Sequence, residues 1–166
     1  MFSVSAAIEE KNPNAFKKFF EKIQKVSKKG VVAGFPKGQL NTPHYEPDKP
    51  GEKGLSIIDV AIRNNFGIGV PQRDFMTPAS KKWQKFFNES LDKLRNELEK
   101  EEVDIDKFLN IMGQKGADII SQEIIALKTP PNSPITIARK GSSNPLVDSG
   151  DMSRSTTWQI RKRDKE

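Results

Sequence analysis

Phe16, Phe19, Phe20, Ile23 and Val26 recur at intervals of three and four, after Asn12 at a capping position and Pro13 at a first helical position. The spacing predicts an amphipathic helix over residues 12 to 30, ended by Gly30. Val31-Val32-Ala33-Gly34-Phe35 breaks that period. It is short, β-branched at its start and stopped by Pro36, which predicts a buried strand. Residues 36 to 54 are rich in Pro, Gly and charge with almost no apolar residue beyond Leu40 and Tyr45, so they form an extended loop. Helical spacing returns at Ile57, Ile58, Ala61 and Ile62. Ser56 with Asp59 three residues on makes a weaker form of the capping box, and Gly67 closes the element.

A constrained connection over 67 to 78 ends in Thr77-Pro78, expected to cap the next helix, in which Trp83, Phe87, Leu91, Leu94 and Leu98 form one apolar stripe. Trp83 opens that stripe and is expected to be largely buried. Phe108, Met112, Ile119, Ile120, Ile124 and Leu127 define a further helix from about Asp104 to Leu127. Gly113 and Gly116 fall on or beside its apolar face. Each disfavours a helix by about 1 kcal/mol relative to Ala, so close packing of another backbone is expected there. The Pro-rich run Thr129 to Pro134 ends this helix. One helical turn is expected over Thr136 to Lys140, closed by Gly141, another over Ser149 to Ser155, and a terminal strand over Thr156 to Ile160.

Composition adds bounds to this pattern. In 166 residues, 34% hydrophobic against 30% charged is enough for one domain with one core but leaves part of the chain as loop, arm or interface. A single domain over 1–166 is expected, with an extended loop at 36–54 and a C-terminal segment and tail at 128–166. No apolar run approaches the ~18 residues of a membrane span, and Met1-Phe2 opens no basic, apolar leader, which predicts a soluble chain without a secretory signal. There is no Cys and one His, so a thiolate site, a Cys nucleophile and a His-rich metal cage are all excluded. No cofactor is expected. The 28 Lys and Arg against 22 Asp and Glu give +6, with the excess in the run Lys11 to Lys29 and in the tail Arg154 to Lys165.

Several arrangements invite chemistry and fail on its requirements. Ser149 between Asp148 and Gly150-Asp151 lacks a general base, because the lone His44 lies in a different loop, so Asp148 and Ser149 are read as caps of a turn. His44-Tyr45-Glu46-Pro47-Asp48 is read as a surface segment that docks on a neighbour rather than as a metal site. Gly67-Ile68-Gly69 and Lys140-Gly141-Ser142-Ser143 lack the frames of a dinucleotide or phosphate loop. Asp59, Asp74, Glu89 and Asp92 match no metal motif with a mechanism. The lysines 17, 18, 22, 25, 28 and 29 form a solvated helix face or, in the alternative reading, the DNA-binding surface of an accessory protein.

Four segments together resemble the tail-completion or neck proteins of tailed bacteriophages, also described as virion morphogenesis or minor structural proteins. The first is Asp59 to Gly67, similar to that family's helix running into Asn-Glu-Phe-Gly, with Asn65 in place of the usual Glu. The second is Val70 to Ala79, similar to a Pro-x-Arg-Pro-Phe stretch, with Asp74 where Pro is common. The third is Pro130 to Gly141. The fourth is Pro145 to Ser155, similar to a Pro-Leu-x-Asp-Thr/Ser-Gly segment that leads into a short helix and a strand. The resemblance covers roughly residues 31 to 161 and implies a non-enzymatic ring subunit, expected to be hexameric, that joins a phage tail to the capsid connector.

The fold class expected is α/β (α+β), a small, mostly antiparallel sheet packed against long amphipathic helices. The expected partners are further copies of the chain, connector or stopper proteins, tail terminator or tail tube proteins, and DNA in the channel. The expected location is the virion neck, after assembly in the host cytoplasm. Interface candidates are His44, Tyr45, Asn65, Phe66, Arg73, Phe75, Arg139, Lys140, Leu146, Asp148, Ser149 and Arg154; no catalytic, cofactor-binding or metal-ligating residue is assigned.

Overall fold

The computed structural model describes Glu21 and residues 28–35, 54–99 and 104–162, without the side chains of Asp92 and of 94–99. Most of the helix expected over 12–30, the loop from Pro36 to Lys53 with His44 and Tyr45, and the tail beyond Lys162 lie outside those residues. Among the described residues the elements run β1 (Lys29–Gly34), α1 (Ile57–Phe66), α2 (Met76–Glu99), α3 (Ile105–Ala126), α4 (Pro134–Lys140), α5 (Asp151–Arg154) and β2 (Thr157–Lys162). The class is α+β.

The sheet is one antiparallel pair, β1 on β2, with Lys29 opposite Lys162 and Gly34 opposite Thr157. β1 therefore starts two residues before the expected strand, and Phe35 lies beyond its end. Nor is it a buried strand: paired among the described residues with β2 alone, it leaves Val32 42% exposed. A two-stranded sheet needs another layer for stability, and α3 supplies it. Lys29 anchors the strand to the start of α3 through two hydrogen bonds from Nζ to Asp106, 2.6 and 2.8 Å.

The contact between α3 and the sheet depends on the two glycines. A Cβ on Gly113 would come within 2.3 Å of the Trp158 ring and 2.7 Å of a Val31 methyl; one on Gly116 would come within 2.7 Å of the Trp83 ring and 2.8 Å of the Ala33 Cβ. Close packing was the expectation, yet side chains press on the glycines, two indole rings foremost, rather than another backbone. Trp83 is half-buried and donates its indole N–H to the Met112 carbonyl at 2.8 Å, next to this seam. Trp83 meets Met112, and Phe87 meets Phe108 edge-on at 6.3 Å, so α2 and α3 run antiparallel.

At the other end of α3, Ile119, Ile120 and Ile124 join Ile57, Ala61, Phe75, Ala79, Leu146 and Met152 in one core. Phe75 is 1% exposed and meets Phe35 edge-on at 6.4 Å. Burial of such a ring contributes about 2 to 3 kcal/mol. The helix ends follow local chemistry. Ser56 and Asp59 form a full reciprocal capping box, and Gly67 closes α1 in the left-handed region at φ 73°. α2 begins at Met76, ahead of Thr77-Pro78, because Asp74 rather than Thr77 supplies the cap: its Oδ1 accepts the Thr77 N–H at 2.9 Å. Ser133 caps α4 and Gly141 closes it. At α5 the expected caps, Asp148 and Ser149, are not used. Gly150 takes the cap position at φ 84° without a side-chain bond, and Ser149 Oγ instead donates to the Asp151 carboxylate.

Candidate functional site

Three of the four segments that carry the resemblance meet around one side chain, and the fourth joins them through Asn144. Arg73 sits in the connection between α1 and α2, only 6% exposed. Its backbone N–H donates to the Asn64 carbonyl at 2.7 Å, which folds the connection back on the end of α1. The guanidinium then spans the gap to the Pro-rich run. Nε donates to the Pro130 carbonyl at 3.2 Å, Nη1 to Asn64 Oδ1 at 2.9 Å, and Nη2 to the Pro131 carbonyl at 3.4 Å and Asn132 Oδ1 at 3.0 Å. These acceptors are all neutral, and burial pushes the Arg73 pKa below its ordinary value while leaving the group charged at neutral pH.

Amides extend the network outward. Asn132 Nδ2 donates to the Asn144 carbonyl at 3.2 Å, and Asn144 Nδ2 donates to the Ile125 carbonyl near the end of α3 at 2.8 Å. Asn144 Oδ1 accepts the N–H of Leu146, whose side chain lies in the core. On the other flank, Asn65 is buried, and its Oδ1 accepts the N–H of Met76 at the start of α2. Gln72 Nε2 donates to the Asn65 carbonyl at 3.2 Å. Among the described residues no buried side-chain N or O atom lacks a hydrogen-bond partner. Four of the five guanidinium N–H groups donate to carbonyl and amide oxygens, and these bonds hold three stretches of chain in place.

Held at the edge of this network is an apolar loop. Ile62 is 44% exposed, Phe66 67% and Ile68 53%, and Val70 follows in the same stretch. Gly67 lets the chain reverse between Phe66 and Ile68, and a Cβ there would press on Gln72 at 3.0 Å. The aromatic ring and the isoleucine are thus turned to solvent by a backbone that is itself tied down.

The interface candidates divide accordingly. Asn65, Arg73, Phe75 and Leu146 face into the subunit; Phe66, Arg139, Asp148, Ser149 and Arg154 are on its surface; Lys140 is half-buried, with Nζ 3.5 Å from the Pro145 carbonyl. Burial holds the Lys140 ammonium below its ordinary pKa, Asp148 opposes that shift, and Arg73 and Arg139 add to it. Arg154 pairs with Asp151 at 2.6 Å. Among the described residues no group of three His, Asp or Glu could hold a metal. Sequence reasoning missed Asn64, Gln72 and Asn144 and gave Asn132 no role. Their signal was faint: polar amides beside Pro or Gly in segments with no apolar period. Compared with known proteins, the chain matches no family model, no curated protein and no solved structure.

Proposed function

We propose that this chain is a structural subunit of the neck of a tailed bacteriophage, a non-enzymatic protein that closes into a ring between the capsid connector and the tail. One observation carries the reading. Three of the four segments on which the resemblance rests are bonded through Arg73 and the fourth joins them through Asn144, and this polar network holds an exposed apolar loop at its edge rather than a reactive centre. Phe66 and Ile68 are unusual residues to hold in water, and apolar anchors with a polar surround are what a subunit contact requires. In a ring each subunit offers two different surfaces, and the rotation between copies fixes the number that closes. Partners on the two axial faces would be the connector or stopper and the tail terminator or tube, with DNA passing through the lumen.

The test is mass photometry of the purified full-length chain with negative-stain images. The expected result is a closed ring at six times the 18.7 kDa of one chain. A chain that stays monomeric at micromolar concentration and binds duplex DNA in low salt, with affinity falling steeply as salt rises, would replace this reading by that of a DNA-binding accessory protein.

A further inference from the structure

The antiparallel register sets Lys29 opposite Lys162 and Gly30 opposite Arg161, so one end of the β1–β2 pair gathers basic residues from distant parts of the chain, with Lys28 just ahead of β1. Like charges placed directly across a ladder weaken it. Asp106 offsets Lys29, whereas among the described residues no ion pair joins Lys28, Arg161 or Lys162 to a carboxylate, and all three are exposed. We propose that this end of the sheet is a docking surface for the phosphate backbone of duplex nucleic acid, bound without regard to sequence. The inference is independent of the neck reading: oligomeric state tests that reading, and binding tests this one.

Three features select this partner. Strand alternation puts Gly30, Val32 and Gly34 of β1 and Thr157, Gln159 and Arg161 of β2 on the outer face, since Val31 and Trp158 press on Gly113 of α3 from the inner one. Val32 is the one apolar side chain among those strand residues. Protein contacts are built on buried aromatic and apolar anchors, whereas a polyanion asks for cations alone. The cations are also placed for phosphate. Gln159 Oε1 accepts from Arg161 Nε at 3.4 Å and from Nη2 at 3.2 Å, which holds one edge of the guanidinium along the sheet and leaves donors on Nη1 and Nη2 for two oxygens of a ligand. A Cβ at Gly30 would meet open space, so the position opposite Arg161 leaves room for a phosphate to approach. Third, bases have nothing to stack on. Trp158 is turned inward, its ring against Gly113 and its N–H 3.2 Å from Asn110 Oδ1, so the surface suits the backbone of a duplex rather than the bases of a single strand.

The probe is a fluorescently labelled DNA duplex of mixed sequence, titrated with the full-length chain and followed by anisotropy. The parent should bind, with log K falling linearly against log salt between about 50 and 200 mM. The triple variant Lys28→Gln/Arg161→Gln/Lys162→Gln removes three cations. Each phosphate contact contributes about 0.9 to the slope, so the slope should flatten by about 2 to 3, with affinity at the lower salt down about tenfold or more; Arg161→Gln alone should account for about 1 of that change. All three side chains are exposed, so the melting curve should stay where it is. Lys81→Gln/Lys85→Gln/Lys93→Gln, in which the three lysines are exposed on α2, makes the same change in net charge and should keep most of the parent's slope. Equal flattening in the two triple variants would reduce the effect to net charge and overturn the proposal. A sheet variant that binds as the parent does would assign binding to another surface, and a parent that does not bind at the lower salt would deny the patch this partner; either result overturns it. So would displacement of the duplex by polyglutamate at equal concentration of charge, which would make the surface a site for acidic protein.

Discussion

The two ends of α3 are held by opposite means. At its first half, Gly113 and Gly116 give up their side chains so that Trp158, Trp83 and β1 can approach, and shape does the work with two indole hydrogen bonds, to Asn110 and the Met112 carbonyl, as locators. Beyond its last turn, a charged guanidinium ties its own connection to the end of α1 and to the Pro-rich run through carbonyls and amides. An apolar seam tolerates error in proportion to volume, whereas a buried polar network fails as a unit, because each lost donor leaves acceptors stranded. The contrast teaches that the surface loop at Phe66 is positioned by the second kind of order, through bonds to Asn64, Asn65 and Arg73.

The comparison is broken most severely at Arg73. Arg73→Met keeps the apolar stem and removes every guanidinium donor, which strands the Pro130 and Pro131 carbonyls and the Asn64 and Asn132 amide oxygens. A loss of about 3 to 5 kcal/mol is expected in chemical denaturation, with Arg73→Lys recovering part of it. Equal stability of parent and Met variant would mean that water replaces the guanidinium without cost and that the network organises nothing.

The seam gives a smaller effect. Gly116→Ala places a methyl where the Trp83 ring and the Ala33 Cβ already stand, at 2.7 and 2.8 Å. Overpacking of about 1 to 3 kcal/mol is offset by about 1 kcal/mol of helix propensity, so a net loss of about 1 to 2 kcal/mol is expected, with a shift in Trp fluorescence. A gain in stability would show that the indole can swing away and that the glycine is not needed for the approach.

Smallest is Asp148→Asn, on the exposed flank of the network beside Lys140. Its carboxylate makes no cap on α5, so the melting curve should move by no more than about 0.5 kcal/mol, and tails should still join heads in an assembly assay. A folded variant that joins none, with Ser149→Ala equally inactive, would assign Asp148 a chemical role or a contact made through its charge.

Much of the first kind of order was legible in the sequence. The period of α3, the capping box at Ser56 and the left-handed closures at Gly67 and Gly141 are local signals, and local chemistry decided them. Gly113 and Gly116 announced a close approach without saying by what, since a missing side chain marks space and not its occupant. Val31 and Trp158 could be read as strand residues, but their edge position follows from a pairing across 129 positions of numbering, from Val31 to Ile160, that no local pattern encodes. The network around Arg73 was least legible. Its bonds join residues 57 to 59 positions apart, between segments whose Pro and Asn content only marks them as loops. Asp74 in place of Pro was visible as a departure, and its capping of α2 became clear only with the Thr77 N–H beside it.

The central claim is that the Arg73 network exists to present the Phe66 loop for self-association. Mass photometry of the parent beside the full-length double variant Phe66→Ser/Ile68→Ser, with melting curves of both, tests it most directly. Both residues are more than half exposed, so the variant should fold and melt as the parent does, within about 0.5 kcal/mol, while the parent forms rings and the variant runs as single chains. Rings of unchanged size and number in the variant would contradict the claim.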